Sequence, residues 1–137
     1  MNRMAPTIAV VALVGMALGG IIHGTRATLA QLLYRRAKYG SSREPHAILS
    51  DCHRAEQLYP WNYNFCAFAS EQAYYAGSRA EGDERLMLLG ASRHWCDEGL
   101  GLNPYPAELN LLRVRLLAMS SVREALAHQP AATCSTE

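Results

Sequence analysis

An uncharged apolar run near the N-terminus limits what this chain can fold into more than any other feature. Residues 5–22 contain no charged side chain and lie between Arg3 and His23. In a helix, these 18 residues span about 27 Å, close to the ~30 Å hydrocarbon core of a bilayer. The run therefore predicts a transmembrane anchor within residues 1–26. A cleaved signal peptide ending at Ala30 is the alternative, and we favour retention because the run is longer than a usual signal core.

Small residues recur every four positions in this anchor. The pairs are Gly15 with Gly19, and Gly20 with Gly24. Such spacing flattens one face of a membrane helix and allows another helix to approach closely. The four glycines therefore predict packing against a second membrane helix, either from a partner or from another copy of this chain. The alternative is that they reflect only the general frequency of glycine in membrane helices.

Basic residues are concentrated directly after the anchor. Residues 26–54 carry six Lys or Arg side chains and two acidic ones. The positive-inside rule then places the folded part in the cytoplasm, whereas a signal-anchor with a short internal tail places it in the periplasm. No basic and aromatic platform accompanies these arginines, so we expect lipid headgroups and no nucleic acid as their partner.

The rest of the chain has helical periodicity, and no segment has the strict alternation of a strand. We expect an all-α domain over residues 27–128 and a flexible tail over residues 129–137. Gly40 and Pro60 stop the first two helices, and Gly77 closes the third. The predicted helices cover residues 28–39, 45–59, 62–76, 83–100, 107–119 and 122–128.

Two corners of the chain share the same order of residues. A small residue, Ala55 or Gly99, precedes a helix-ending proline, Pro60 or Pro104. In this order the chain resembles the tetratricopeptide repeat (TPR) family, although Ser70 departs from its pattern and about ten extra residues follow Gly77. The resemblance implies a short stack of antiparallel helical hairpins after the transmembrane helix, with a concave surface that holds another protein.

A second resemblance rests on the residues around Pro60. Ala55, Leu58, Pro60, Trp61 and Asn62 are similar to the hairpins in the periplasmic helical tails of O-antigen ligase and polymerase-like proteins. The membrane-embedded catalytic part of those enzymes has no counterpart here, so no transferase activity is implied. This resemblance implies a role in the bacterial envelope, with an anchor in the inner membrane and a periplasmic domain.

The apolar stripes of the predicted helices define an expected hairpin core. Trp61 and Tyr63 lie beside a turn instead, where exposed aromatic side chains can contact a partner. The expected core residues are Cys52, Ala55, Pro60, Phe65, Phe68, Ala69, Ala73, Trp95, Cys96, Gly99, Pro104 and Leu112.

Thiol and imidazole groups lie close in sequence at two places, Cys52-His53 and His94-Trp95-Cys96. No Cys-x-x-Cys pair accompanies them, so we expect packing and no metal or cofactor. The sequence also lacks a glycine-rich phosphate loop and a nucleophile elbow, and we expect no catalytic residues.

These observations predict a non-enzymatic, membrane-anchored interaction module. It would act as a scaffold, an assembly factor or an accessory subunit of a larger membrane complex, with membrane-embedded proteins as partners. One alternative is a small metal- or haem-binding redox subunit that uses Cys52, His53, His94 and Cys96. A second is a structural protein that self-assembles as a homo-oligomer.

Overall fold

A computed structural model describes residues 4–40 and 44–127. These residues form five α-helices and no strand, which confirms the all-α prediction. The predicted tail and His128 lie outside the described residues. The helices are α1 (Met4–Tyr39), α2 (Pro45–Leu58), α3 (Tyr63–Arg79), α4 (Gly82–Leu102) and α5 (Ala107–Ala127).

The chain divides into two compact units between Phe65 and Cys66. The first unit contains α1, α2 and the first turn of α3. The second contains the rest of α3 with α4 and α5. The predicted boundary between residues 26 and 27 lies inside α1, which continues through it without a break.

Helix α1 has two stretches with different surroundings. In the first, the large hydrophobic side chains between Val10 and Ile22 are all more than half exposed. In the second, Ala30 and Ala37 are buried. The helix is long and apolar enough to cross a membrane. Because Arg26 and three further basic residues follow the uncharged run, only the first stretch suits a hydrocarbon core.

Helix α2 packs antiparallel against the second stretch of α1. The order of contacts is opposite in the two helices. Arg36 contacts Asp51, whereas the earlier Arg26 contacts the later Gln57. Ala30, Ala55 and Phe65 form a buried hydrophobic cluster in this unit. The two alanines have no side chain beyond Cβ, so the helix backbones can approach closely.

Local sequence signals set the ends of α2. Pro45 occupies the start of the helix, where its missing N–H is not needed. At the other end the Tyr59 N–H donates to the carbonyls of Ala55 and Glu56, 3.0 and 3.1 Å away. Pro60 cannot donate a further helical hydrogen bond, so the helix ends there.

In the second unit, a pair of serines joins α3 to α4. Ser70 Oγ donates to the Ser92 carbonyl at 2.7 Å, and Ser92 Oγ donates to the Ser70 carbonyl at 2.9 Å. Both serines are fully buried. Each hydroxyl thus has a hydrogen-bond partner, which removes most of the cost of burying it.

Two glycines mark close contacts in the second unit. A Cβ on Gly77 would lie 3.0 to 3.1 Å from side-chain atoms of Leu88 and Leu89 on α4. A Cβ on Gly99 would lie 2.8 Å from Leu109 Cδ1 and 3.1 Å from Cys66 Cβ. Gly99 therefore allows α3, α4 and α5 to meet.

Two predicted helix ends are wrong. Gly77 does not close α3, because it is a buried packing position and the helix continues to Arg79. The expected break after Met119 is also absent, and α5 continues to Ala127. Ser120 Oγ donates to the Leu116 and Leu117 carbonyls of the preceding turn. The hydroxyl thus has hydrogen-bond acceptors within α5, and the helix can continue through this residue.

The contact at Gly99 leads to a stability prediction with a control in the same helix. A Cβ on Gly90 would meet no described atom within 4 Å. Alanine gains up to about 1 kcal/mol of helix propensity at either position, whereas overpacking costs about 1–3 kcal/mol. We therefore expect Gly90→Ala to stabilise the second unit and Gly99→Ala to be about 1–3 kcal/mol less stable than Gly90→Ala.

Thermal unfolding in mild detergent, followed by the fluorescence of Trp95 in a Trp61→Phe background, measures this difference. Equal midpoints for the two alanine variants would contradict the tight packing at Gly99.

Candidate functional site

An open apolar groove of about 580 Å³ lies between α1 and α2 in the first unit. Its apolar lining comes from three leucines of α1 and one of α2. Leu29 and Leu32 are 46 % and 56 % exposed, although they adjoin a packed helix pair. The lining residues are Leu29, Leu32, Leu33, Arg36, Arg54, Gln57 and Leu58.

The helical repeat explains why these leucines remain uncovered. Ala30 and Ala37 occupy the stripe of α1 that is buried. Leu29, Leu32 and Arg36 follow a helical spacing of three and four residues, so they form a neighbouring stripe. Alanines at the buried stripe bring the helices close, and the longer side chains beside them line a groove along the seam.

Arginine residues flank this apolar surface. Arg36 Nε lies 3.1 Å from Asp51 Oδ2, and the Asp51 side chain is only 11 % exposed. Arg36 itself is largely exposed, so it neutralises the buried carboxylate while its far end faces solvent. Arg54, on α2, is exposed and lines the groove as well. The groove thus combines an apolar floor with positive charge.

A third arginine is bound to the end of α2. Arg26 Nη2 donates to the Gln57 carbonyl at 3.3 Å. Carbonyls in the last turn of a helix lack intrahelical partners and carry partial negative charge, so a cation there is favourable. This bond fixes the end of α2 to α1 four residues beyond the uncharged run.

A second hollow, of about 310 Å³, lies on the other side of Leu32. It is lined by Ala27, Thr28, Gln31, Leu32 and Arg35. Leu32 is shared by both depressions and therefore forms the ridge between them. This side of α1 therefore presents apolar, uncharged polar and basic side chains.

The predicted contact residues in and after the anchor are open. A Cβ on Gly15, Gly19, Gly20 or Gly24 would meet no atom of the described residues within 4 Å. Trp61, in the turn between α2 and α3, is 73 % exposed. Tyr63 begins α3 and is half-buried. The glycine face and Trp61 thus remain available for a partner.

The expected core residues divide between the two units. Cys52, Ala55 and Phe65 are buried in the first unit, and Phe68 in the second is only half-buried. Pro60 and Pro104 are exposed, contrary to expectation, because they follow helix ends and act on the backbone there. Among the expected core residues of the second unit, the buried ones are Ala69, Ala73, Trp95, Cys96, Gly99 and Leu112.

The four residues considered from sequence for a metal or haem site are two exposed histidines and two buried cysteines. Within the described part of the chain, no group of three or more His, Cys, Asp or Glu side chains could hold a metal ion. His53 is exposed, with its Nε2 3.0 Å from Gln57 Nε2. His94 is exposed, with its ring centroid 5.9 Å from that of Trp95.

Cys96 is a buried thiol that packs between helices. Its Sγ donates to the Leu109 carbonyl at 3.3 Å. Burial raises the pKa of the Cys96 thiol, and the negative charge of Asp97 raises it further, while Arg113 acts in the opposite direction. The thiol is therefore protonated at neutral pH and serves as a hydrogen-bond donor.

Sequence reasoning missed the groove and the ion pair of Arg36 with Asp51. The signal for the ion pair was a lone acidic residue, Asp51, beside Cys52 on the apolar stripe of α2. The groove had a weaker signal, because Leu29 and Leu32 are equally suited to a core.

No known protein family matches the chain, and neither does any curated protein or solved structure.

The buried carboxylate of Asp51 leads to a prediction for the first unit. Arg36→Gln removes the positive charge and leaves Asp51 without this partner, which typically costs about 1–3 kcal/mol. Arg35→Gln is the control, since it makes the same change one residue away. We expect faster amide hydrogen exchange in α2 for Arg36→Gln only, measured by mass spectrometry.

Adding Asp51→Asn to Arg36→Gln is expected to restore much of the protection. Equal exchange in the Arg35 and Arg36 variants would show that the ion pair does not stabilise the helix pair.

The raised pKa of Cys96 predicts a pH dependence of stability. A thiol whose pKa is higher in the folded state favours folding below its ordinary pKa, and this contribution is lost as pH rises through the folded value. We expect the stability advantage of the wild type over Cys96→Ala to shrink between pH ~8 and pH ~10. Thermal midpoints measured across this range test it, and an advantage that grows with pH would contradict it.

Proposed function

We propose that this chain is a single-pass membrane protein whose TPR-like helical hairpins hold another membrane protein. It would act as a scaffold, an assembly factor or an accessory subunit of a complex in the bacterial envelope. The apolar groove between α1 and α2 is the binding surface in this proposal. The observation that carries it is an exposed, arginine-flanked groove that starts close to the end of the uncharged run.

The anchor is supported by the surroundings of residues 9–22. A helix that is hydrophobic on all sides is stable when it is buried in a protein or in a membrane. Here the side chains are exposed all round, and large ones such as Val11 and Met16 are each 66 % exposed. A bilayer would cover this surface.

The position of the groove favours a partner in the same membrane. Leu29 follows Ile22 by seven residues, which corresponds to about 10 Å along the helix. A partner segment just outside its own transmembrane helix would lie at the same height. Restriction to one membrane also raises the effective concentration of such a partner.

The chemistry of the groove indicates what that segment carries. Leu29, Leu32 and Leu58 would receive the apolar face of an amphipathic helix. Arg54 and the exposed part of Arg36 would attract acidic side chains on its polar face. The expected ligand is therefore an acidic amphipathic helix next to a transmembrane segment.

Site-specific photo-crosslinking tests this proposal in cells. A photoreactive phenylalanine analogue at Leu32 is compared with the same analogue at Leu111 on α5, because the two leucines are 56 % and 53 % exposed. We expect a discrete adduct from position 32 only. Mass spectrometry is expected to locate the crosslink in an acidic segment beside a transmembrane helix of the partner.

A charge reversal provides the specificity control for the crosslink. Arg54→Glu is expected to reduce the adduct several-fold, because it would repel an acidic ligand. An adduct only with a second copy of this chain would favour the self-assembling structural protein instead. Equal labelling from positions 32 and 111 would contradict the groove as the binding surface.

A further inference from the structure

The antiparallel course of α2 brings its C-terminal end back toward the anchor. The ring of Tyr59 contacts that of His23, with 5.5 Å between centroids and 62° between planes. One turn further along α1, Arg26 holds the Gln57 carbonyl. The end of α2 is therefore fixed beside the part of α1 that directly follows the uncharged run.

This position can be compared with the layers of a bilayer. Residues 5–22 would fill most of the hydrocarbon core, so His23 would lie at its edge. The headgroup layer extends about 5–8 Å beyond that edge. Tyr59 is in ring contact with His23, so it would lie within the headgroup layer.

Trp61 follows closely in the turn between α2 and α3. Two residues of extended chain span at most about 7 Å, so Trp61 cannot be far from the level of Tyr59. Trp61 is 73 % exposed, although tryptophan has the largest aromatic ring system of any side chain. Tryptophan is enriched at membrane interfaces, because its ring is apolar and its N–H can bond to water or headgroups.

We propose that the turn between α2 and α3 is a second membrane-contacting element, with the Trp61 ring inserted where headgroups meet acyl chains. This inference rests on the proposed membrane anchor. Contact of Trp61 with a partner protein is the other use of an exposed tryptophan. The lipid surface is favoured because the ring contact between His23 and Tyr59 would place the turn at the boundary of a bilayer that surrounds residues 5–22.

A positive charge near the level of the turn is consistent with contact to lipid headgroups. Arg26 is exposed and lies four residues beyond the uncharged run, within reach of lipid phosphates.

Insertion of Trp61 would add a second attachment point beside α1. A single helix can rotate about its own axis in a bilayer, whereas a helix with a lateral anchor cannot. The turn would thereby fix which way the groove faces along the membrane.

Tryptophan fluorescence in vesicles tests this inference. The chain contains two tryptophans, Trp61 and the buried Trp95. The full chain is placed in vesicles of neutral and anionic phospholipids that carry a nitroxide either on the headgroup or in the middle of the acyl chain. In the variant Trp95→Phe, all tryptophan fluorescence comes from Trp61. Subtracting the fluorescence of Trp61→Phe from that of the wild type gives the Trp61 signal with the buried Trp95 unchanged.

A residue of similar exposure provides the control. Tyr39 is 74 % exposed but lies sixteen residues after His23 in the same helix, about 24 Å away along the axis. Tyr39→Trp, in a chain with Trp61→Phe and Trp95→Phe, therefore reports a position outside the headgroup layer. We expect headgroup nitroxides to quench Trp61 several-fold more strongly than the tryptophan at position 39.

The anchor is measured separately on the same samples, by vesicle flotation and by resistance to alkaline extraction. If the protein is integrated but Trp61 is quenched no more than the tryptophan at position 39, the membrane contact of the turn is wrong and the anchor stands. If the protein is not integrated, the anchor fails, and this inference fails with it.

Discussion

The close packing of α1 against α2 through Ala30 and Ala55 is the interaction on which the first unit depends. Both alanines are fully buried, and they belong to one core with Phe65. Their small size allows the two helices to approach, and that approach brings Arg36 to Asp51 and Arg26 to the end of α2. The leucines beside the seam then line a groove. One pair of small residues thus produces both the close packing and the groove of this unit.

The second unit is held by contacts of another kind. Ser70 and Ser92 exchange hydrogen bonds between α3 and α4, and Gly99 admits Leu109 from α5. Each of these contacts requires a small residue at one specific position, facing one specific residue of the neighbouring helix. Cys96 belongs to the same group, because its thiol donates to a backbone carbonyl of α5. The cysteine and serine side chains here are thus explained by packing and hydrogen bonding between helices.

Periodicity and helix-stop signals predicted the all-α class and the start of α2 at Pro45, because these depend on neighbouring residues in the chain. The role of Gly77 was not predicted, since a glycine that ends a helix and one that admits a neighbouring leucine look alike in sequence. The groove was missed for a related reason. Leu29 and Leu33 have the same side chain, and only the path of α2 decides which is covered. Long-range contacts of this kind are not encoded in local spacing.

The uninterrupted course of α1 has a mechanical consequence. One helix of 36 residues joins the uncharged apolar stretch to the part that packs against α2. Transmembrane helices tilt when bilayer thickness changes, and a tilt of about 20° is ordinary. About 24 Å separates His23 from Tyr39 along the axis, so such a tilt would sweep Tyr39 sideways by about 8 Å. If α1 is the proposed membrane anchor, a rigid helix of this kind would convert local thinning or thickening of the bilayer into lateral displacement of the groove.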